Sequence, residues 1–423
     1  MKLENKEKNL LGQTVCAWAL VTLFFSYQYV LRMSTGWMIH ELRTDFNLTA
    51  EQFAQVGAWA MYAYALLQVP VGFIVDRIGV KKTVLGSIVI CLGGTYLFTI
   101  APTFAVAKFS RILVGAGSAC AFMCALKIVA DSMSMRLRGY FLGATLALGV
   151  IGPMIVSRHF VGLVEQAGWR QALQIAGLFG LPLLVLIYFI VPKQDFKNTA
   201  FKDKAFKEVY KDFLIIIKDS RIILYAFLAI GLYTPLAVLS DLWGTVFFRE
   251  KYLLTKADAA FTSTIMYVGL GLGSIILPGL CAKENRLNRA IQICLIGFLV
   301  LFSVVLYGPV FDRFQLTFLL ITMGFFCGAE MMCFSGATLY STPSNSGLTI
   351  GVVNTLNMLA GAVLEQAIGA GLDFQWEGLM SEEEGIRLYT KEQFVIALSI
   401  LIVVIGLCAI GSLFLKKKRK QQG

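Results

Sequence analysis

Runs of about 20 or more apolar residues recur along the whole chain, the length a helix needs to cross a hydrocarbon core of roughly 30 Å. Only helices and closed barrels satisfy their backbone hydrogen bonds inside lipid. A barrel would read as alternating segments of about ten residues, whereas these runs are longer and apolar on every face. Composition agrees: 57% of the 423 residues are hydrophobic and 15% charged, against roughly a quarter charged in soluble domains. The chain therefore reads as an all-α polytopic membrane protein.

Twelve spans are expected, at 12–39, 52–75, 83–103, 105–130, 139–163, 171–192, 222–247, 259–281, 290–309, 314–340, 347–371 and 393–415. The first is read as a retained span, because it is longer than a signal-peptide core of about 7–15 residues. An even number of spans puts both termini on one side. With that side cytoplasmic, inner segments carry 24 Lys and Arg and outer loops 8, the bias expected of the positive-inside rule. It also accounts for the net charge of +11 with no nucleic-acid partner. The run Lys416 to Lys420 sits just past the last span, where it faces anionic lipid.

Three segments follow: a six-helix bundle over 1–192, a cytoplasmic linker over 193–220, and a second bundle with a basic tail over 221–423. In the linker, Phe206, Val209, Phe213 and Leu214 recur at helical spacing among Lys204, Lys207, Lys211 and Lys218. That pattern suits an amphipathic helix on the inner leaflet. The nine cysteines lie in or beside apolar runs, with no metal-ligand spacing, and read as small core residues. No cofactor or metal is called for.

The loop after the second span reads Gly72-Phe73-Ile74-Val75-Asp76-Arg77-Ile78-Gly79-Val80-Lys81-Lys82. It resembles the signature of the major facilitator superfamily in the same loop. Span four contains Arg111, Gly115 and Gly117 in a spacing similar to a second signature, with the arginine inside the membrane. The equivalent loop of the second half, Gly279 to Arg286, resembles a decayed copy with Lys283 where the aspartate would fall. Gly149, Gly152 and Pro153 resemble an antiporter motif, but Val156 and Ser157 replace its paired small residues, so antiport is not inferred. The resemblance implies two pseudo-symmetric six-helix bundles with a solute site between them, alternating access, and a cavity lined by spans 1, 4, 7 and 10. It gives Gly72, Asp76, Arg77, Gly79, Lys81 and Lys82 a gating role, and makes Arg111, Gly115 and Gly117 intramembrane structural residues; Lys127, a charge within span four, is expected to be structural as well.

Ionisable residues within spans are expensive and face a bundle interior, a cavity or a partner. Here they divide by sign: Arg32, Lys108, Arg111, Lys127 and Arg158 in the first half, Asp241, Glu330 and Glu365 in the second. Arg32 and Asp241 lie at similar depths in equivalent spans, as do Arg158 and Glu365. Two expectations follow. Tyr27, Tyr29 and Arg32 stand in a spacing that resembles the first span of organic-anion and nutrient carriers of that superfamily, which implies that Arg32 grips a carboxylate of the substrate through paired hydrogen bonds; or it snorkels outward or serves as an internal ion-pair partner. Arg158 or Arg32 pairs with Asp241 or Glu365 when the outer mouth is closed, as a gate or as a static strut. Glu330 leads for proton coupling, since a carboxylate in a low-dielectric cavity is costly to ionise, with Asp241 second. Trp243, Asn354 and Asn357 are candidate substrate contacts; for the asparagines, helix-to-helix hydrogen bonding is the competing role.

A nucleotide-binding loop and a catalytic constellation are both missing, so neither a primary pump nor an enzyme is expected. The expectation is a monomeric secondary transporter in a bacterial inner membrane, carrying an organic acid or amino acid by proton symport. The alternative is an exporter of a metabolite, siderophore or drug. A sensor or scaffold built on the same fold is a third reading.

Overall fold

A computed structural model describes residues 2–133, 135–192, 206–281, 284–342, 345–382 and 385–415. Lys204, Lys283 and the basic tail from Lys416, each given a place above, lie outside the described residues. Among the described residues, twelve helices are long and apolar enough to cross a membrane. In order they are Gly12–Trp37, Ala50–Ile78, Val80–Thr99, Phe104–Ser132, Gly143–Ala167, Trp169–Ile190, Ser220–Tyr252, Lys256–Leu280, Arg286–Tyr307, Arg313–Thr338, Ser346–Phe374 and Lys391–Ser412. They are called spans 1 to 12 below. Among the described residues there is no strand, only one isolated bridge between Met380 and Arg387.

Local chemistry sets where these helices begin. Thr49 with Gln52, Asp312 with Gln315 and Thr390 with Gln393 form capping boxes at spans 2, 10 and 12, each satisfying amides that the first turn leaves open. Thr103, Asp219 and Thr255 cap spans 4, 7 and 8 with single side-chain acceptors. At about 1.5 Å per residue, 20 or more residues span the hydrocarbon core. The outer surface is apolar: Phe189, Phe318 and Phe374 are among its exposed side chains, as a lipid-facing wall requires.

The halves repeat one packing scheme. Spans 1 and 5, 2 and 4, and 3 and 6 pack together in the first half. Spans 7 and 11, 8 and 10, and 9 and 12 do so in the second. Span 2 against span 11 and span 5 against span 8 form long seams between the halves, and span 1 also meets span 7. Thr355 Oγ1 donates to the Ala65 carbonyl at 3.1 Å, and Gln366 Nε2 to the Tyr62 hydroxyl at 2.7 Å, along the first seam.

Several spans are irregular where function is expected. Spans 4 and 10 each break after a first helix of 15 residues, at equivalent depths; Glu330 opens the second helix of span 10. Span 7 widens into a π turn over Val238–Trp243, just after Pro235. Such turns mark inserted residues or kinks and cluster at functional sites, and this one contains Asp241.

The helix Phe206–Lys218 forms as its spacing predicts. It packs against spans 7 and 11, with Val209 and Ile216 buried, and so docks on the second bundle. Val209 and Ile216 lie two turns apart on one face, and that stripe is what the bundle covers.

Candidate functional site

Past the middle of the spans, on the side away from the termini, span 1 and the π turn of span 7 bring Arg32 and Asp241 together. Arg32 Nη2 lies 2.9 Å from Asp241 Oδ2, with both side chains buried. The contact is off the N–H direction, so Oδ2 has no aligned hydrogen bond, and Arg32 Nε is also without one. The Tyr267 hydroxyl donates to Asp241 Oδ1 at 2.6 Å, and Arg32 Nη2 donates to the Tyr233 hydroxyl at 3.3 Å. The guanidinium lies 4.2 Å from the centre of the Tyr29 ring. Arg111 supports this point from behind, donating to the carbonyls of Leu31, Arg32 and Val56. Glu365 is buried within electrostatic reach of Arg32, Arg111 and Asp241. Two cations and two carboxylates thus share one dry region, which lowers the cost of burying any one of them.

Below this cluster lies a cavity of about 500 Å³. Tyr29 and Tyr233 form its inner end, under the ion pair, and Gly143, Pro278 and Thr338 lie at its other end. Those three stand at the ends of spans 5, 8 and 10 on the face that carries the chain termini. The cavity therefore runs from mid-membrane toward the termini face. Its walls include spans 2, 5, 8 and 11 as well as 1, 4, 7 and 10, because Tyr64, Val150, Leu270 and Asn354 all line it. Among the described residues that line it, Glu330 is the one with a charged side chain, and Asn357 Nδ2 donates to its Oε1 at 2.5 Å.

The sequence candidates divide accordingly. Tyr29 and Asn354 line the cavity, and Glu330 faces it. Arg32 and Asp241 stand one side chain behind its inner end. Asn357 lies outside the lining and reaches it through Glu330. Tyr27 turns the other way: its hydroxyl donates to the Gly177 carbonyl at 3.2 Å, inside the first bundle. Two residues along a helix from Tyr29 is about 200° of rotation, so both could not face one cavity. Trp243 is likewise no lining residue. It is buried between Phe53 and Phe394, and its indole donates to the Glu365 carbonyl at 3.1 Å. It plugs the side opposite the termini.

That opposite side is closed by contacts between halves. Arg158 pairs with Asp258, which also meets Arg313 at 3.2 Å; it does not reach Asp241 or Glu365, because it stands at the outer end of span 5 and is 41% exposed. Lys256 pairs with Glu41. Asp373, at the end of span 11, accepts from the Ala50 and Glu51 amides that open span 2, at 3.2 and 2.9 Å. Tyr389 donates to the same carboxylate at 2.5 Å, and Arg43 donates to the Arg387 carbonyl at 2.8 Å. Burial pushes the Tyr389 hydroxyl up to about 12, so it remains a donor to Asp373 at physiological pH. Gly36 lets span 1 pass directly over the span 7 backbone: a Cβ there would lie 2.9 Å from Leu242 Cα.

The loop motif is held within the first half. Lys127 pairs with Asp76 at 2.6 Å and with Asp131 at 3.5 Å. Arg77 stacks 4.2 Å over Phe73, and Lys81 lies 5.4 Å from the Tyr188 ring. Lys82 is exposed. Gly79 takes φ of 83° at the turn between spans 2 and 3, where a side chain would be strained. Gly72 lies by Met123. Gly115 and Gly117 abut the backbones of spans 2 and 3 at Ala60 and Ser87, the close approach that small residues allow in lipid. Lys108 reaches Gln55 at 3.4 Å.

Several contributors carried no signal in the sequence. Tyr233 and Tyr267 sit in apolar runs and look like ordinary aromatic residues. Glu41, Lys256, Asp258 and Asp373 lie at span ends, where charge is common and its partner is unmarked.

A profile described as Major Facilitator Superfamily matches residues 15–364. A probable galactarate/D-glucarate transporter of Escherichia coli is 22% identical over 425 residues, 92% of this chain and 93% of that protein. A probable sulfoacetate transporter of Cupriavidus necator is 24% identical over 209 residues, covering 49% of this chain and 47% of its own length. A gallate transporter of Pseudomonas putida is 25% identical over 178 residues, 41% of this chain and 38% of that protein. The chain thus spans about half or less of the length of these last two relatives. Among solved structures, a bacterial homologue of the human lysosomal transporter Spinster, inward-facing and unoccupied, superposes with a TM-score of 0.73 at 14% identity, over 95% of this chain and 97% of that one. Twelve spans in two repeated bundles, a cavity between them and the match across residues 15–364 lead to one conclusion: this chain belongs to the major facilitator superfamily.

Proposed function

We propose that the protein is a secondary transporter of a small organic acid or amino acid, working by alternating access and driven by protons. The observation that carries this reading is the Arg32–Asp241 pair, which joins the two halves at the inner end of the cavity between them. In this closed-roof state the guanidinium is held by Asp241. A proton on Asp241 removes that partner's charge and leaves Arg32 for a substrate carboxylate, to which a guanidinium can donate two parallel hydrogen bonds. Glu330 stands in the cavity wall as a second proton acceptor, in contact with Asn357. The similarity to proteins named as sulfoacetate, galactarate/D-glucarate and gallate transporters supports the choice of an acid.

The excess of Lys and Arg in the termini-side segments favours a cytoplasmic location for that face, in a bacterial inner membrane. The cavity then opens inward, and the motif from Gly72 to Lys82, at the inner ends of spans 2 and 3, takes part in gating as the halves rock. Uptake into proteoliposomes under an inward proton gradient, with sulfoacetate, glucarate and gallate as probes, tests the reading. Arg32→Ala should lose at least about 100-fold in uptake of the transported probe, the scale of about 2.7 kcal/mol for a charge-assisted contact. Arg32→Lys should retain part of it. Normal apparent affinity in both variants sinks the assignment of Arg32. A Glu330→Gln protein that still accumulates probe with wild-type pH dependence removes Glu330 from coupling.

A further inference from the structure

The cavity wall is mainly carbon. Six aromatic rings face it, those of Phe25, Tyr29, Tyr64, Phe122, Tyr233 and Phe334. Met123, Met331 and Met358 line it as well, beside aliphatic side chains such as Leu146 and Ile275, and thioether side chains adapt to ligands of varied outline. Polar side chains are a minority of the wall; Ser274 and Asn354 are among them, and five others are already engaged. Ser335 Oγ donates to the Met331 carbonyl at 3.0 Å, and Thr338 Oγ1 to the Ser335 carbonyl at 2.8 Å, both within span 10. Gln68 Nε2 donates to the Ala119 carbonyl at 3.3 Å, at the break in span 4. The Tyr233 hydroxyl accepts from Arg32, and Glu330 accepts from Asn357.

A polyhydroxylated diacid entering such a space would give up water at every hydroxyl and find few free partners, and buried polar groups without partners are costly. A second carboxylate would stand near Glu330 with no cation among the described residues of the wall to offset it. A compact apolar body gains instead from displacing water against aromatic faces and methionines. A single carboxylate needs only one anchor, and Arg32 behind Tyr29 supplies it, with an Nε that has no partner of its own.

We infer that this transporter selects monocarboxylates with an apolar, ring-sized body and discriminates against polyhydroxylated diacids. The inference rests on the organic-acid reading for its carboxylate, while the apolar body follows from the cavity wall alone.

Equilibrium dialysis with the full chain in lipid nanodiscs separates the two. The probes are radiolabelled benzoate, cyclohexanecarboxylate, galactarate and benzyl alcohol. Benzoate and cyclohexanecarboxylate should bind at least tenfold more tightly than galactarate. Phe334→Ser should weaken both ring acids at least tenfold and leave galactarate unchanged, while Phe189→Ser, on the exposed outer wall, should change nothing. Met331→Gln is the second variant if Phe334→Ser does not fold, and should act in the same direction. Galactarate binding as tightly as benzoate overturns the inference and leaves the acid reading standing. Ring acids bound unchanged by folded Phe334→Ser and Met331→Gln proteins also overturn it. Benzyl alcohol binding as well as benzoate overturns the acid reading while keeping the apolar body. Binding of none of the four overturns both.

Discussion

At the scale of single residues, the protein concentrates its cost in a few buried charges. Arg32 and Asp241 are each more than nine-tenths buried and are held by two tyrosine hydroxyls as well as by each other. Removing one member leaves the other as an uncompensated charge, which typically costs about 3–5 kcal/mol, whereas replacing both by apolar residues is often neutral. Arg32→Met and Asp241→Leu should therefore each destabilise the protein by that amount, and the double variant by much less. Thermal unfolding in detergent measures this. Singles as stable as the double would show that the pair contributes no such coupling. That the two charges belong to opposite halves was legible from the sign pattern. Their partnership with each other was one of several pairings the sequence allowed, because charge and depth restrict partners without naming them.

At the scale of elements, helix ends are set by short-range chemistry and are correspondingly easy to read. Span 7 begins where Asp219 accepts from the Arg221 amide. The Arg221 side chain, hydrogen-bonded to the same carboxylate, holds Asp219 below its ordinary range. A depressed folded value means the cap contributes fully above the unfolded carboxylate range, near about pH 4, and is lost as pH falls through the lower folded value. Arg221 is 61% exposed, so solvent screens most of the ion pair and the amide acceptor is the main contribution. Asp219→Ala should cost about 1 kcal/mol at neutral pH. Hydrogen exchange at the amides opening span 7 should be faster in the variant, with the difference vanishing in acid. A difference that persists unchanged at low pH would be inconsistent with a cap that titrates. The breaks in spans 4 and 10 and the π turn at Asp241 were not legible in this way. Pro235 hints at the last, but an irregular turn persists only where surrounding helices re-satisfy its backbone.

At the scale of the whole molecule, the two halves touch most closely on the side opposite the termini. There Gly36 crosses the span 7 backbone, Arg158 and Lys256 make ion pairs across the halves, and Asp373 closes the start of span 2. A side chain at position 36 should act as a wedge. Gly36→Val should shift the population toward a state open on that side, even with every ion pair intact. Spin labels at Pro102→Cys and Leu253→Cys, on loops of that face in the two halves, should report a longer distance in the Gly36→Val background. An unchanged distance distribution in a folded protein would mean that the contact at Gly36 does not hold the closed state.

Taken residue by residue, the chain itself determined where its membrane-crossing helices lie to within a few residues, which loop resembles the superfamily signature, and that the carboxylates deep in the spans fall in the second half; the buried Lys251 of span 7 breaks the division of charge by sign. The span positions and the depth of the charges follow from transfer free energy and helix periodicity, which act over a few turns of one segment, while the signature was legible as a resemblance. Only the tertiary structure decided that Tyr29 faces the cavity while Tyr27 does not, that Trp243 plugs the closed side, that Arg158 takes Asp258, and that the cavity wall is aromatic and methionine-rich. Helices in lipid associate through local packing and polar contacts instead of a hydrophobic gradient. Apolar residues on every face of a span therefore leave its rotation and its partner unmarked until neighbouring spans are in place.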